Sequence, residues 1–327
     1  MPARVILHIP LKFHADFRMR DHLALHARIA ALIADRGGTV VLAERQDAMM
    51  DGSCLPADGD LHVVESGWCQ GRGWLNAAVA YLPDFWHLDP RGVLADSSAA
   101  RARFDPAAVD GADARLFADG LRARYVVPRR SRYRQKAQPT AIPEGAIAVF
   151  LQGRMAQWRG QAHLRTAAML RAVAGGAGGR PVLVKAHPLS PEYGVRQILA
   201  AQAEGLAVTA TDANVHDLLA GSAVNVSINS AVALEGFLHR KPAILFGRSD
   251  FASLVETCRR PEDFAPALAR ALAARPDHDA MLAWYFGRHC LDLAAADRDS
   301  RILAVFDRAG FSAGRLGLGG GRGSTGA

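Results

Sequence analysis

Residues 4–43 read RVILHIPLKFHADFRMRDHLALHARIAALIADRGGTVVLA. The apolar run Arg4 to Ile9 predicts a buried strand, and Leu23, Leu25, Ile29, Leu32 and Ile33 recur at helical spacing within 22–35. Gly37-Gly38 stops that helix, and Thr39 to Ala43 reads as the next strand. Strand, helix and strand in so short a span form a βαβ unit, which implies a parallel sheet. Leu61 to Ser66 and Ala77 to Leu82 continue the pattern as further strands, with a helix as the alternative for the second.

A second α/β series starts at Ala146. Its strands are 146–151 (AIAVFL), 181–186 (PVLVKA), 206–210 (LAVTA), 223–228 (AVNVSI) and 242–247 (PAILFG), alternating with helices near 161–174, 194–204, 215–220 and from 231. Residues 95–140, rich in Arg, Ala, Asp and Pro with a helix from Ala112 to Arg124, read as the end of the first domain and a linker. The expected fold class is therefore α/β, two Rossmann-like domains with a cleft between them. The expected domains are 1–140, 141–275, C-terminal helices over 276–309 packing back toward the first domain, and a disordered Gly/Ser-rich tail over 310–327.

The chain has 327 residues, 39 Lys+Arg against 32 Asp+Glu, 50% hydrophobic residues and four cysteines, which excludes a disordered chain, a disulfide scaffold and a collagen-like repeat. The formal charge of +7 invites nucleic acid as a partner. Lys12, Lys136, Lys185 and Lys241 are the only lysines, however, so the excess is a chain-wide arginine bias and no nucleic-acid partner is expected. The densest basic stretch, 122–136 (RARYVVPRRSRYRQK), is broken by apolar residues and is expected either as a solvated linker or as a contact to a phosphate-bearing ligand or a membrane surface. Cys54, Cys69, Cys258 and Cys290 lack CxxC or metal-type spacing, so reduced thiols and a cytoplasmic setting are expected. The first residues lack a signal-peptide pattern, and no run of 18 apolar residues occurs.

Two segments carry chemistry. Lys185-Ala186-His187-Pro188 directly follows a strand, the place where an open α/β sheet holds its ligands. His187 there can give a proton or hydrogen bond to a phosphate oxygen, and Pro188 turns the chain outward; a turn-capping histidine is the bland alternative. The second segment is 227–236 (SINSAVALEG), in which Ser227, Asn229 and Ser230 are helix N-cap residue types whose neighbouring N–H groups attract anions. Glu235 falls one turn later, within reach of a ribose, and Gly247 ends the next strand where a ligand can approach closely.

A third segment, 81–92 (YLPDFWHLDPRG), holds two carboxylates, a histidine and three aromatics, a composition suited to a sugar acceptor. Asp84 and Asp89 are its candidate general base or nucleophile, against an aromatic-anchored turn. His22 and His26 are four residues apart, but no HExxH motif or third ligand accompanies them or His14, so no metal is expected. The glycines at 175–179 precede a strand and read as a loop, and Trp284, Tyr285, Phe286 and His289 read as packing residues.

VKAHP at 184–188, followed by NSAVALEGFLHRKPAILFG at 229–247, resembles the bacterial capsule polysaccharide biosynthesis and export family, whose members include transferases of Kdo from CMP-Kdo. The resemblance is strong over 145–250 and weak before it, and the same His-Pro and serine-pair logic is known in bacterial sialyltransferases of the GT-B fold. It implies a metal-independent glycosyltransferase with no cofactor beyond its CMP-sugar donor substrate. His187 would assist departure of the CMP phosphate; Lys185, Pro188, Ser227, Asn229, Ser230, Gln152 and Gly153 would bind the nucleotide, and Glu235 would hold its ribose. The acidic-pair motif of the sialyltransferases is absent: the analogous strand end reads Leu151-Gln152-Gly153-Arg154. The implied partners are a nucleotide sugar, a glycan or glycolipid acceptor, and a peripheral contact at the inner membrane or with a capsule-assembly complex. A non-catalytic assembly protein and a UDP-sugar transferase or 2-epimerase stand as alternatives.

Overall fold

The computed structural model describes residues 1–54 and 58–319. In chain order its elements are β1 (Val5–Ile9), α1 (Ala24–Asp35), β2 (Val40–Glu44), β3 (Leu61–Glu65), β4 (Trp74–Val79), β5 (Phe85–Asp89), α2 (Gly111–Tyr125), β6 (Ile147–Phe150), α3 (Met155–Trp158), α4 (Thr166–Gly176), β7 (Val182–Lys185), α5 (Pro191–Ala203), β8 (Thr209–Ala210), α6 (Val215–Gly221), β9 (Val224–Ser227), α7 (Val232–Leu238), β10 (Ala243–Leu245), β11 (Glu256–Thr257), α8 (Phe264–Ala273), α9 (His278–Leu282), β12 (Leu291–Asp292) and α10 (Arg298–Arg308). They form two compact units, one of residues 1–80, 84–101 and 289 onward, the other of 81–83 and 102–288. Residues 102–140, read from sequence as the close of the first domain and a linker, thus belong to the second unit, as do α9 and the π-helical turn Ala283–Arg288.

The first sheet has the order β12-β5-β4-β3-β1-β2. Its β1 to β4 pair in parallel, while β5 runs antiparallel to β4 and β12 antiparallel to β5. Val5, Leu7 and Ile9 point to a core completed by Leu25, Ile29, Leu32 and Ile33 of α1 and by Ile302 and Phe306 of α10. Period 2 on the strand and the 3.6 period on the helix bring these positions onto facing surfaces. Gly37, at φ +80, supplies the left-handed residue that closes α1, and the Gly38 N–H donates to Ile33 O at 2.9 Å. On the sheet's other face, His8 Nε2 lies 2.9 Å from His62 Nδ1 and His62 Nε2 lies 3.0 Å from Asp58 Oδ1, with both rings stacked near Trp74.

Several expectations for this unit are corrected. Phe85, Trp86 and His87 form a buried strand, not an acceptor loop, because their alternating faces are covered by core. The tail is ordered over 310–319: Phe311 and Leu316 are buried in the core, and Ala3 N donates to Arg315 O at 2.9 Å. Its glycines serve turns between those anchors, and 320–327 lie outside the described residues. Cys54 and Cys69, expected as thiols, form a disulfide with Cα atoms 5.6 Å apart. Cys258 and Cys290 are free and buried.

The second sheet, β11-β10-β9-β6-β7-β8, is wholly parallel. Both faces are covered, which is why its strands read as continuous apolar runs. Ile147, Val149, Val184, Val226 and Ile244 pack with α4, α5 and α8, while Ala146, Ala148, Phe150 and Leu183 pack with α6 and the start of α7. Trp284, Tyr285 and Phe286 are buried as expected, and the Tyr81 and Tyr285 hydroxyls donate to the two oxygens of Asp250 at 2.6 and 2.7 Å.

His26, at which no metal was expected, is fully buried beside Trp86 with neither ring nitrogen partnered. Burial, then the charges of His22 and Arg45, push it down from 6.5 to about 3. The unfolded chain therefore binds the proton first, so the contribution of neutral His26 to stability is full above pH 6.5 and lost as pH falls toward about 3. His26→Leu is expected to raise the urea midpoint and to flatten its decline across that window, because an apolar side chain removes two unpaired buried nitrogens.

Candidate functional site in the second unit

Because every strand of the second sheet is parallel, the carboxyl ends of β6, β7, β9 and β10 lie along one end of it. This geometry gathers Gln152 and Gly153, His187 and Pro188, Asn229 and Ser230, and Gly247 and Arg248 from segments far apart in sequence.

His187 is half-buried, and its Nδ1 accepts the Leu189 N–H at 3.1 Å. That contact fixes the neutral tautomer: the proton sits on Nε2, which is left as a donor. Burial and then the positive charge of Arg132 hold His187 below the usual histidine range. The Tyr133 ring stands edge-on to the imidazole, centroids 5.1 Å apart. An anion at Nε2 would meet a neutral hydrogen-bond donor with a guanidinium nearby, the pairing that stabilises charge developing on a departing phosphate.

Other predicted ligands turn out to be spent inside the protein. Gln152 Oε1 accepts the Asn229 N–H at 2.9 Å, Gln152 Nε2 donates to Asn229 Oδ1 at 3.1 Å, and Asn229 Nδ2 donates to Arg248 O at 3.0 Å. The two amides therefore lock three strand ends together; their role is to position the loop. Lys185 Nζ donates to the Ala213 and Asp212 carbonyls at 2.7 and 3.2 Å, and burial lowers its pKa. It ties the end of β7 to the loop before α6. Asp89, in the first unit, accepts from the N–H groups of Arg91, Gly92 and Ser98 and from the Ser98 hydroxyl, so it organises a turn. Asp84 is half-buried at φ +70 on the β4–β5 turn.

The serine pair divides its work. Ala231, not a serine or asparagine, occupies the N-cap of α7, a helix of seven residues. Buried Ser227 accepts the Ser230 N–H at 3.1 Å, and Ser230 Oγ accepts the Val232 N–H at 3.3 Å. Each hydroxyl keeps its proton to donate, and half-buried Ser230 is the one a ligand can reach. Gly153 sits where an added Cβ would come 3.1 Å from Ser190 Oγ, so the loops after β6 and β7 approach closely there. Gly247 admits backbone instead of ligand: a Cβ would lie 2.8 Å from Gln161 O and 3.0 Å from Ile228 O.

What sequence reading missed is the strap, residues 128–140. Arg129 Nη1 pairs with Asp217 at 2.7 Å, Asn214 Nδ2 donates to Lys136 O at 2.8 Å, and the Thr140 N–H donates to Asp217 at 2.9 Å. These contacts dock the strap over α6 and bring Ser131 to Glu235 and Tyr133 to His187. Residues 128–137 with Asn214 line a concavity of about 420 Å3 that contains five cationic side chains. The only signal for this in the sequence is the basic run itself.

No sequence-family model matches the chain, and no curated protein matches it by sequence. Among solved structures it is similar to Thermosulfurimonas dismutans KpsC, beta Kdo 2,7 transferase, with a TM-score of 0.54 and 12% identity over 94% of this chain and 99% of that one. A second similar structure is the KpsC beta Kdo 2,4 transferase of the same organism, with a TM-score of 0.54 and 16% identity over 87% and 91%. These likenesses show the fold: two α/β units with six-stranded sheets, of the GT-B type.

Glu235 is buried with Oε2 unpartnered, and desolvation pushes its carboxyl up to about 7 against the helpful Ser131 hydrogen bond. The folded state then holds a proton that the unfolded state has released above pH 4.5, so this residue withdraws stability as pH rises from 4.5 through 7. Glu235→Gln is expected to match the wild type in urea midpoint at the acid end of this window and exceed it at the alkaline end. A constant difference across the window would contradict the buried, protonatable carboxyl.

Proposed function

We propose that the chain is a GT-B glycosyltransferase that moves a sugar, Kdo or a related keto-sugar acid, from a CMP-activated donor to a glycan or glycolipid acceptor in capsule or surface-polysaccharide synthesis. The observation that carries this reading is His187: a strand-end imidazole with Nε2–H left to donate, Arg132 beside it, and Ser230 at the same end of the sheet after β9, with β6 between the two strands. The acceptor hydroxyl attacks the anomeric carbon of the donor, the bond to the phosphate oxygen breaks, and the electron pair leaves on CMP. His187 Nε2–H and the Ser230 hydroxyl donate to that departing phosphate, which lowers its energy without a metal ion. Glu235, once the Ser131 contact yields, accepts a ribose hydroxyl. Asp84 or Asp89 of the first unit takes the acceptor proton. We place the reaction in the cytoplasm, with the cations of the strap as the contact to an acidic glycan or the inner membrane.

Calorimetric titration with CMP, CDP, UDP and GDP tests the donor class, and CMP is expected to bind tightest. His187→Ala should cut transfer from CMP-Kdo by about 100-fold or more, the scale of losing a preorganised donor to a developing oxyanion. Full transfer by that variant would remove His187 from the mechanism. Asp84→Asn should lower turnover while CMP affinity stays unchanged. Internal use of Lys185 and Asp89 favours the non-catalytic reading, and CMP binding with neither transfer nor donor hydrolysis would select it; UDP binding without a response to CMP would select the UDP-sugar reading.

A further inference from the structure

Of the ten large hydrophobic side chains that stand exposed among the described residues, five fall within 155–199: Met155 and Trp158 on α3, Leu189 just before α5, and Val195 and Leu199 on α5. Singly exposed apolar residues are ordinary, but a concentration of them marks a surface that something else covers.

The fold makes these segments neighbours. Gln157 Nε2 and the Tyr193 hydroxyl both donate to the buried Thr166 Oγ1, at 3.3 and 3.1 Å, so α3 and the first turn of α5 are held to one point. The chain segments that lead into them approach closely where Gly153 leaves room for Ser190. α5 turns Gly194, Ile198 and Ala201 inward, which leaves Val195 and Leu199, four residues apart, on its outer face.

The same stretch is cationic. Residues 151–203 hold six arginines and Lys185 against one carboxylate, Glu192. Lys185 and Arg180 are bonded to carbonyls and Arg171 pairs with Glu204, whereas Arg154, Arg165 and Arg196 are exposed and make no ion pair among the described residues. Arg154 stands over the Tyr193 ring, 5.3 Å from its centroid, Arg165 directly precedes Thr166, and Arg196 lies between Val195 and Leu199.

That combination selects the occupant. A two-fold contact pairs a patch with itself, so a second copy seated here would set these arginines against their own kind. A surface of anionic headgroups instead meets the arginines with opposite charge, and it takes up an indole ring and aliphatic side chains at the boundary with its acyl chains.

We propose that α3 and the outer face of α5 form a docking surface for an anionic phospholipid bilayer, with Trp158, Leu189 and Leu199 entering the headgroup region and Arg154, Arg165 and Arg196 held to lipid phosphates. Leu189 follows His187 by two residues, so the docked chain keeps the candidate site at the lipid surface. The contact is independent of which sugar the site transfers, and its test reads binding alone.

The full chain is mixed with vesicles of phosphatidylglycerol and phosphatidylcholine in equal parts, or of phosphatidylcholine alone, while co-sedimentation and tryptophan emission are followed. Saturable binding to the mixed vesicles is expected, with a blue shift of the emission and quenching by bromine on the lipid chains, all weakened at about 0.5 M salt. Trp158 is 72% exposed whereas Trp68 is half-buried and Trp74, Trp86 and Trp284 are buried, so Trp158→Phe should remove the quenching while most of the binding remains. Trp158→Ser combined with Leu199→Ser, both at exposed positions, should weaken vesicle affinity by about 10-fold or more. Arg165→Gln with Arg196→Gln should weaken it by a similar factor. Absence of binding to the mixed vesicles, equal binding to phosphatidylcholine alone, or binding with the Trp158 emission unmoved would each overturn the proposal. So would a loss confined to Arg132→Gln with Arg134→Gln, which would move the contact to the strap, or a dimer that Trp158→Ser dissolves, which would make the face an interface between copies.

Discussion

Parallel pairing is the constraint on which the second unit depends. A strand that pairs in parallel must be fed by a crossover, the crossovers cover both faces, and every strand therefore delivers its carboxyl end to the same place. With six strands in that arrangement, loops that begin at residues 151, 186, 228 and 246 meet without any local sequence relation between them. The Gln152 and Asn229 amides then tie two of these loops and the Arg248 carbonyl into one rigid rim. Chemistry placed on such a rim inherits the stiffness of the sheet beneath it.

Within the rim, internal hydrogen bonding decides which polar groups remain for a substrate. Lys185, Gln152 and Asn229 look like ligands in one dimension because of their types and strand-end positions, yet the folded chain satisfies them itself. His187 and Ser230 use one lone pair internally and keep a proton to give. Glu235 lies between these cases, since it is buried with one oxygen unpaired and a strap residue on the other side.

Much of the fold was legible because hydrophobic periodicity reports it directly. The βαβ start, the strands read at 146–151, 181–186, 223–228 and 242–247 and the helices at 112–124 and 215–220 lie where the spacing placed them, within a residue or two, whereas the strand read at 206–210 shrinks to Thr209–Ala210. The segment 81–92 was misread because a strand buried on both faces and a substrate loop can share aromatic composition, and only neighbours such as β4 and β12 distinguish them. The glycine-rich end was misread in the same way: Phe311 and Leu316 are single anchors, too sparse to make a period. The strap escaped notice because its order comes from side chains on α6, nearly 90 residues away. Of the candidate site, position along the strands was readable, whereas tautomer, saturation and burial were not, since each depends on partners distant in sequence.

The packing of residues 311–319 against the first sheet bears on how the protein is made. The first unit is built from both extremes of the chain, with β12, α10 and Phe311 arriving after the whole second unit has been synthesised. On the ribosome, 102–288 have all their own strands available while β1 to β5 still lack one edge strand and part of their core. The first sheet can therefore be completed only once β12 and α10, which follow the second unit in the chain, have been made.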